Sequence, residues 1–425
     1  MSPTGQRSVL LIAFHFPPFG ASSGVQRTLS FAIHLRKFGW HPVVLTADPK
    51  AYERVSPDQL RDIPSEVPVH RSLALDAARH LAVKGRYWSK LALPDRWSTW
   101  WLSAVPLGLR LIRRHSIRAI WSTYPIATAH RIGATLARAT GIPWIADFRD
   151  PMVEWIDGQS FPSDPKVRRA RLKIERTAAE RASKLVFCTE AARDIVLERY
   201  PTLDTQRTAV VSNGFEEQAF QDASTLPPTA PTTGKRVLLH SGTIYLGPDR
   251  DPSAVLSAIR MLKDRGVLSA DAFELRLRDP SNEDALRRRV AETGVEDMVS
   301  ILPPLPYRAA LREMLDADGL LLLQGKTSNP AVPAKLYEYL RAGRPILACV
   351  HDAGETARTL RSLGIDTLAP LTDSTHIASL IERWWNDPDA MASRLPARAD
   401  VSAYSRESLT RRLAELLEEV RGDPA

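Results

Sequence analysis

The stretch SVLLIAFHFPPFGASSGVQRTLSFAIHLRKFGWHPVVLTA, Ser8 to Ala47, decides the fold class. Its opening SVLLIAF, Ser8 to Phe14, is an apolar run. Bounded by turn residues, such a run reads as a strand buried on both faces, as in a parallel sheet. A loop with Pro17, Pro18, Gly20 and Gly24 follows. VQRTLSFAIHLRKFG then reads as a helix ending at Gly39, and HPVVLTA as the next strand. This is one βαβ unit with a glycine-bearing loop at the carboxyl end of its first strand, the end at which such sheets bind ligands.

The alternation continues outward, the pattern of an α/β protein with parallel sheets. IRAIWSTY, PWIADF and KLVFCT read as strands, with TAHRIGATLARATG and a basic segment from about Pro165 to Ser183 as helices. TAVVSNGF closes this half. Gln221 to Arg236, rich in Pro, Thr and Ala, reads as a linker. Strands VLLHSG, FELRLRD, GLLLLQ and PILACV then alternate with a second set of helices. The expected division is a first Rossmann-like domain over 1–215, a second over 235–398, and a final helix within 400–425 that packs back on the first domain. A chain of 425 residues accommodates two such domains.

The net charge of +8 suggests an acidic partner, although arginine is spread through most of the chain. The two cysteines, Cys188 and Cys349, sit inside apolar runs and read as buried free thiols. No apolar run is long enough to span a bilayer, and the first lacks a signal-peptide pattern, so a cytoplasmic location is expected. No His, Asp or Glu cluster has metal spacing, and the Asp-Ala-Asp at Asp316–Asp318 falls at a helix end. Neither a dinucleotide-binding glycine fingerprint, a phosphate loop nor a nucleophile elbow is present.

NPAVPAKLYEYLRAGRPILA, Asn329 to Ala348, places Lys335 and Glu338 on the first turns of a helix. A helix N-terminus suits an anion, phosphate above all, and a carboxylate one turn further in can accept from sugar hydroxyls. Together these describe a nucleotide or nucleotide-sugar. The competing reading is an ordinary surface ion pair, worth about 0.2–0.5 kcal/mol. Lys326, in the preceding loop, could reach the same phosphates or be solvated. Gly20 and Gly24 would let the backbone approach a phosphate. In SGTIYLGPDRDP, Gly242 and Thr243 follow a buried strand; Arg250 lies downstream and could also pair with Asp249 or Asp251. DFRDPM supplies Asp147, Arg149 and Asp150, either a catalytic constellation or a structural turn, with Asp150 the better placed to face a ligand. Ser122, Thr123 and Tyr124 end a neighbouring strand and are expected to line an acceptor-side wall. His15 sits near the same edge, whereas His130 reads as structural. Arg79 to Arg118 holds nine Lys or Arg against the single acid Asp95, among Tyr87, Trp88, Trp97, Trp100 and Trp101. Trp97, Trp100 and Trp101 would form a membrane face beside these cations, or pack beneath a surface helix.

HFPPFGASSGVQRTLSFAIHLRKFGWHPVVLT resembles the opening of the bacterial glycosyltransferase family 4 enzymes. PWIADFRDPM, VVSNGF, LLHSGTIY and PAKLYEYLRAGRPILA resemble, in the same order, further elements of one subgroup. The resemblance covers nearly the whole chain. It implies the GT-B architecture, two Rossmann-like domains facing across a cleft, and transfer from a nucleotide-diphosphate-sugar with retention of configuration and without a metal or other cofactor. Asp150, Asp147 and Arg149 would be catalytic. Gly20, Ser23, Gly24, Gly242, Thr243, Arg250, Lys326, Lys335 and Glu338 would bind the donor. The acceptor would be a saccharide or a lipid-linked sugar, with an anionic membrane as a further partner and no nucleic acid. Many family members carry two glutamates separated by seven intervening residues; here Glu338 fits the second, and Pro330 stands where the first would be. The alternatives are a sugar-nucleotide epimerase of the same architecture and a catalytically silent nucleotide-binding scaffold.

Overall fold

Strand β1 (Arg7–Ile12), which holds the apolar run that opens the sequence, is an interior strand, the third of seven, in a single sheet. The computed structural model describes residues 7–20, 23–84, 86–156, 159–228, 234–244, 246–247 and 249–422, with only the backbone of Ser23, Asp58, Trp155 and Gln159. The chain divides into two units. The first runs to Asn213 and is completed by the segment from Arg406; the second is Gly214–Ser405.

In chain order the first unit contains β1, α1 (Ser23–His34), β2 (Trp40–Ala47), β3 (Val69–Ser72), α2 (Trp100–Arg114), β4 (Ile117–Thr123) and α3 (Ala127–Thr140). It continues with β5 (Trp144–Arg149), the hairpin β6 (Glu154–Ile156) and β7 (Gln159–Phe161), α4 (Pro165–Arg181), β8 (Lys184–Phe187), α5 (Glu190–Arg199) and β9 (Thr208–Val210). The sheet order is β3-β2-β1-β4-β5-β8-β9, with every neighbouring pair parallel. Val9, Leu10, Leu11 and Ile12 are fully buried because helices cover both faces. A short 3-10 turn (Leu35–Phe38) follows α1, and Gly39, at φ 79°, ends it in the left-handed conformation that glycine adopts most readily. Chain order reverses between β1 and β4, so the carboxyl ends of those strands open the crevice where such sheets bind ligands.

The second unit starts with α6 (Glu217–Ser224), then β10 (Arg236–His240), α7 (Ser253–Asp264), β11 (Phe273–Arg278), α8 (Glu283–Thr293), β12 (Val299–Leu302) and α9 (Tyr307–Asp316). After these come β13 (Gly319–Gln324), α10 (Ala334–Ala342), β14 (Ile346–Val350), α11 (Glu355–Ser362), β15 (Leu368–Ala369), α12 (Ser374–Asn386), α13 (Pro388–Ala392) and α14 (Arg398–Ser402). Its sheet is β12-β11-β10-β13-β14-β15, again all parallel, and its reversal lies between β10 and β13. The last helix, α15 (Arg406–Gly422), returns to the first unit. There it buries Leu413, Leu416, Leu417 and Val420 in one core with Val9, Leu29 and Phe31.

The expected linker over 221–236 begins inside a helix. Phe220 of α6 is buried with Leu311 and Met314 of α9, and Arg308 donates to Asp222 at 2.8 Å. Polar composition hid one buried aromatic, which suffices to seat a short helix. Of that expected linker, residues 229–233 lie outside the described residues. Cys188 and Cys349 are buried free thiols, and burial pushes the Cys349 thiol up to about 12. No helix among the described residues is long and apolar enough to cross a membrane.

Candidate functional site

Residues at the reversal of the second sheet assemble around Lys335. Strand β10 ends at His240, whose side chain is fully buried. Its Nδ1 lies 2.9 Å from the Leu321 carbonyl of β13. A carbonyl only accepts, so Nδ1 carries the hydrogen and Nε2 a lone pair. Burial and the nearby Lys335 cation hold the imidazole neutral, well below its ordinary pKa. That lone pair lies 3.1 Å from Lys335 Nζ, on the first turn of α10. Burial, then the Arg250 cation, brings Lys335 down to about 7, with Glu338 and Asp279 acting the other way.

The backbone closes round this ammonium. Gly242 takes φ +101°, and a Cβ there would come 3.1 Å from Lys335 Nζ. The backbone angle favours glycine, and any side chain there would press on the ammonium. The Ser241 amide donates to Tyr339 Oη at 2.8 Å, tying the loop to α10. Thr243 donates to Asp279 at 2.8 Å, and Asp279 itself has φ 55°. Arg250 donates to the Thr243 carbonyl at 3.1 Å and lies 3.8 Å from Asp249, while Asp251 is taken by Arg289 at 2.5 Å. Tyr245 and Pro248 of this loop lie outside the described residues.

The surface-pair reading of Lys335 and Glu338 fails here. Lys335 turns to His240, and Glu338 accepts from Tyr307 Oη at 2.9 Å. Gln324, buried at the end of β13, donates to the Ser328 and Ala331 carbonyls and accepts from Thr356. It thereby shapes the turn containing Lys326, exposed, and Pro330. Gly242, Thr243, Arg250, Lys335 and Glu338 thus come together at one sheet edge, with Lys326 on the adjoining loop. Asp316 pairs with Arg312, and Asp318 accepts from the Val237 amide; both carboxylates serve the fold.

The edge of the first sheet is built differently. Asp147 at the end of β5 is fully buried and receives both Nε and Nη2 of Arg27 at 2.8 Å. Thr123 donates to the same carboxylate at 2.8 Å, and Arg27 also donates to the Ser212 carbonyl at 2.9 Å. Asp147 therefore belongs to an internal network, which corrects its expected catalytic role. Ser122 is likewise corrected. It is fully buried, receives the Trp144 indole N–H at 2.8 Å and lies 2.7 Å from His130 Nδ1, so it lines no open wall. Burial lowers His130 to about 4, the structural role expected of it.

Arg149 and Asp150 stay near the edge. Arg149 takes φ 60°, unusual for a residue with a side chain, and donates to the Tyr124 carbonyl at 3.3 Å. Asp150 is half-buried, and burial pushes its carboxyl up against the pull of Arg149 and Arg27. Glu154, which sequence reasoning missed, is pushed up to about 7 by burial and by Asp150. His15 stacks on Phe19 at 4.2 Å and falls to about 4 through burial and the Arg149 cation. Tyr124 Oη accepts from Arg171 at 2.9 Å. The Gly20 amide donates to the Arg54 carbonyl at 3.0 Å, and Gly24 lies in the first turn of α1. Ala21, Ser22 and the side chain of Ser23 lie outside the described residues.

The expected membrane face is also corrected. Trp100 is fully buried and donates to Ser72 at 2.9 Å. Trp97 donates to the Ala51 carbonyl, and Trp101 donates to Thr135 beneath Arg131. All three pack on the core. Exposed instead are Val83, Tyr87 and Trp88, the last at 79%, beside exposed Lys84, Arg86 and Lys90.

Two cations, a glycine turn and an uncapped helix start make the second edge suited to a diphosphate, while Glu338 and Asp279 suit hydroxyl groups. Residues 23–214 match the glycosyl transferase 4-like domain. Among solved structures the chain is similar to Anabaena HepE in complex with UDP (15% identity, TM-score 0.66, 97% of this chain and 100% of that one). It is also similar to sucrose-phosphate synthase from Thermosynechococcus elongatus (18%, TM-score 0.60, 97% and 99%). A third likeness is to a UDP-N-acetylglucosamine 2-epimerase (14%, TM-score 0.56, 97% and 96%). Identities this low establish a shared fold. No curated protein matches the sequence.

Proposed function

The chain carries a glycosyl transferase 4-like domain and has the GT-B fold, and from that premise we propose that it transfers a sugar from a nucleotide-diphosphate-sugar to a saccharide or lipid-linked acceptor. The observation that carries this reading is the Lys335 ammonium, set beside Gly242 and Arg250 at the reversal of the second sheet. Cleavage of the sugar–phosphate bond leaves a diphosphate with added negative charge. Lys335, Arg250 and the free N–H groups of α10 would stabilise that charge where it develops. Glu338 would bind hydroxyls of the nucleotide or sugar. A similar protein was solved with UDP and glucose, which supports a uridine nucleotide as the first donor to test.

The first unit takes the acceptor in this reading. Asp150 and Glu154, both with raised carboxyl pKa values, are its proton-holding groups, with Arg149 beside Asp150 and Arg199 beside Glu154. Transfer with retention and without a divalent metal is part of the proposal. Activity should survive EDTA; complete loss in chelator, restored by magnesium or manganese, sinks the metal-independent mechanism. A thermal-shift screen of nucleotide-sugars tests the donor, since a ligand at 100 times its Kd adds about 2.7 kcal/mol of stability. The likeness to an epimerase favours one second reading. Incubating the donor with and without acceptor separates the two: an epimerised nucleotide-sugar formed without acceptor selects the epimerase.

We also place the acceptor at an anionic membrane surface, in assembly of a cell-surface polysaccharide or glycolipid, with the protein peripheral at the cytoplasmic face. Val83, Tyr87 and Trp88 among Lys84, Arg86 and Lys90 support this, since aromatic rings settle at headgroup level and cations meet anionic lipid. Trp88→Ala should weaken sedimentation with acidic liposomes and leave Tm unchanged. Equal, negligible binding of the wild type to acidic and neutral liposomes removes the membrane from the reading.

A further inference from the structure

We propose that His240 is a positioning residue of the donor site, whose Nε2 lone pair holds the Lys335 ammonium beside Gly242 as a cation awaiting its anion. The inference rests on the donor reading above and adds a residue that reading does not contain.

The Leu321 carbonyl, the partner at 2.9 Å, sets the protons of a ring that the Gly242 backbone also borders. Nδ1 of His240 faces a carbonyl, so it donates, and Nε2 is left to accept. The only strong donor shown at Nε2 is Lys335 Nζ, at 3.1 Å. Among the described residues no carboxylate stands within ion-pair distance of Lys335. A neutral imidazole can fix the direction of an ammonium without cancelling its charge. A carboxylate in the same place would do both, and an arriving diphosphate would have to displace it. The Ser241 amide bound to Tyr339 Oη keeps the loop on α10, so the imidazole and the ammonium cannot drift apart.

The groups facing Lys335 are His240 at the end of β10, Arg250 from the segment after it, Asp279 just past β11, and Glu338 from α10 itself. Their sum, with burial, leaves the amine near neutrality, at about 7. An anion bound against Nζ raises that value. Binding above pH 7 must then take up a proton, and affinity falls about tenfold per pH unit between the free and bound pKa values.

Calorimetry with the tightest of UDP, GDP, ADP and dTDP, at pH 6, 7 and 8 in two buffers of different ionisation enthalpy, tests this. The wild type should take up close to one proton at pH 8 and almost none at pH 6. His240→Phe keeps the volume and removes the lone pair. It should bind at least tenfold more weakly at pH 8 and lose affinity from a lower pH. His240→Gln returns an acceptor oxygen and should recover part of the loss. A folded His240→Phe with wild-type affinity and pH profile overturns the inference. Where His240→Phe does not fold, a folded His240→Leu with wild-type affinity and pH profile overturns it in the same way. Lys335→Met with undiminished affinity is a different result: it removes the donor reading itself.

Discussion

The carboxyl edges of the two sheets use their charged residues in opposite ways. In the first unit, Arg27 and Asp147 meet through two hydrogen bonds of 2.8 Å, with side chains 4% and 0% exposed. That cation and carboxylate are spent on each other. In the second unit, Lys335 meets a neutral imidazole. Its charge stays available, and partial burial lowers its pKa to about 7. Charged residues near the carboxyl edges of two parallel sheets thus have different uses. What separates them is whether the partner is an ion of opposite sign or a neutral acceptor.

The largest effect should come from opening the closed pair. Asp147→Ala leaves Arg27 buried without its carboxylate, a change that costs about 3–5 kcal/mol. Chemical denaturation should register that loss together with the loss of activity. A stable but inactive Asp147→Ala would make the two edges alike, and would restore Asp147 to the catalytic group. Next in size is Lys335→Ala, which removes a charge-assisted contact of about 1.5–3 kcal/mol. Donor affinity should fall by more than tenfold with Tm little changed. A large fall in Tm with donor binding intact would reverse the comparison.

A third expectation concerns pH in the absence of ligand. Lys335 has a lower pKa folded than unfolded, so between about 7 and its ordinary value of 10.5 the unfolded chain binds more protons. This group therefore makes stability rise with pH across that window. Lys335→Met should show a flatter profile than wild type over the same range; parallel profiles would mean the amine keeps its ordinary pKa. The smallest effect is expected from Glu338→Gln, which keeps a partner for Tyr307 and loses one charge. Donor affinity should drop by about 0.5–1.5 kcal/mol, the net contribution of one hydrogen bond. No measurable change would mean that Glu338 serves only to hold Tyr307.

How much was legible in the sequence follows from which contacts are local. β14, β1 from Val9 on and β13 as far as Leu323 are buried apolar runs, and such runs announce themselves. β12 and β15 lie at sheet edges, are short and partly exposed, and carry no comparable signal. Lys335 and Glu338 were legible because both lie on the first turns of one helix. Arg27 and His240 were not. Arg27 finds Asp147 across 120 residues, and His240 finds Lys335 across 95, so only the closed sheets bring them together. The tryptophans show the same limit. Composition grouped Trp88 with Trp100, and packing assigned one to solvent and the other to the core.

The return of α15 to the first unit has a consequence for synthesis. Gly214–Ser405 is one unbroken stretch, and its two ends meet where the Phe215 amide donates to the Tyr404 carbonyl. The second unit is therefore complete in the nascent chain before α15 has been made. The first unit, although translated earlier, has the core around Val9, Leu29 and Phe31 completed only by Leu413, Leu416 and Leu417, made last.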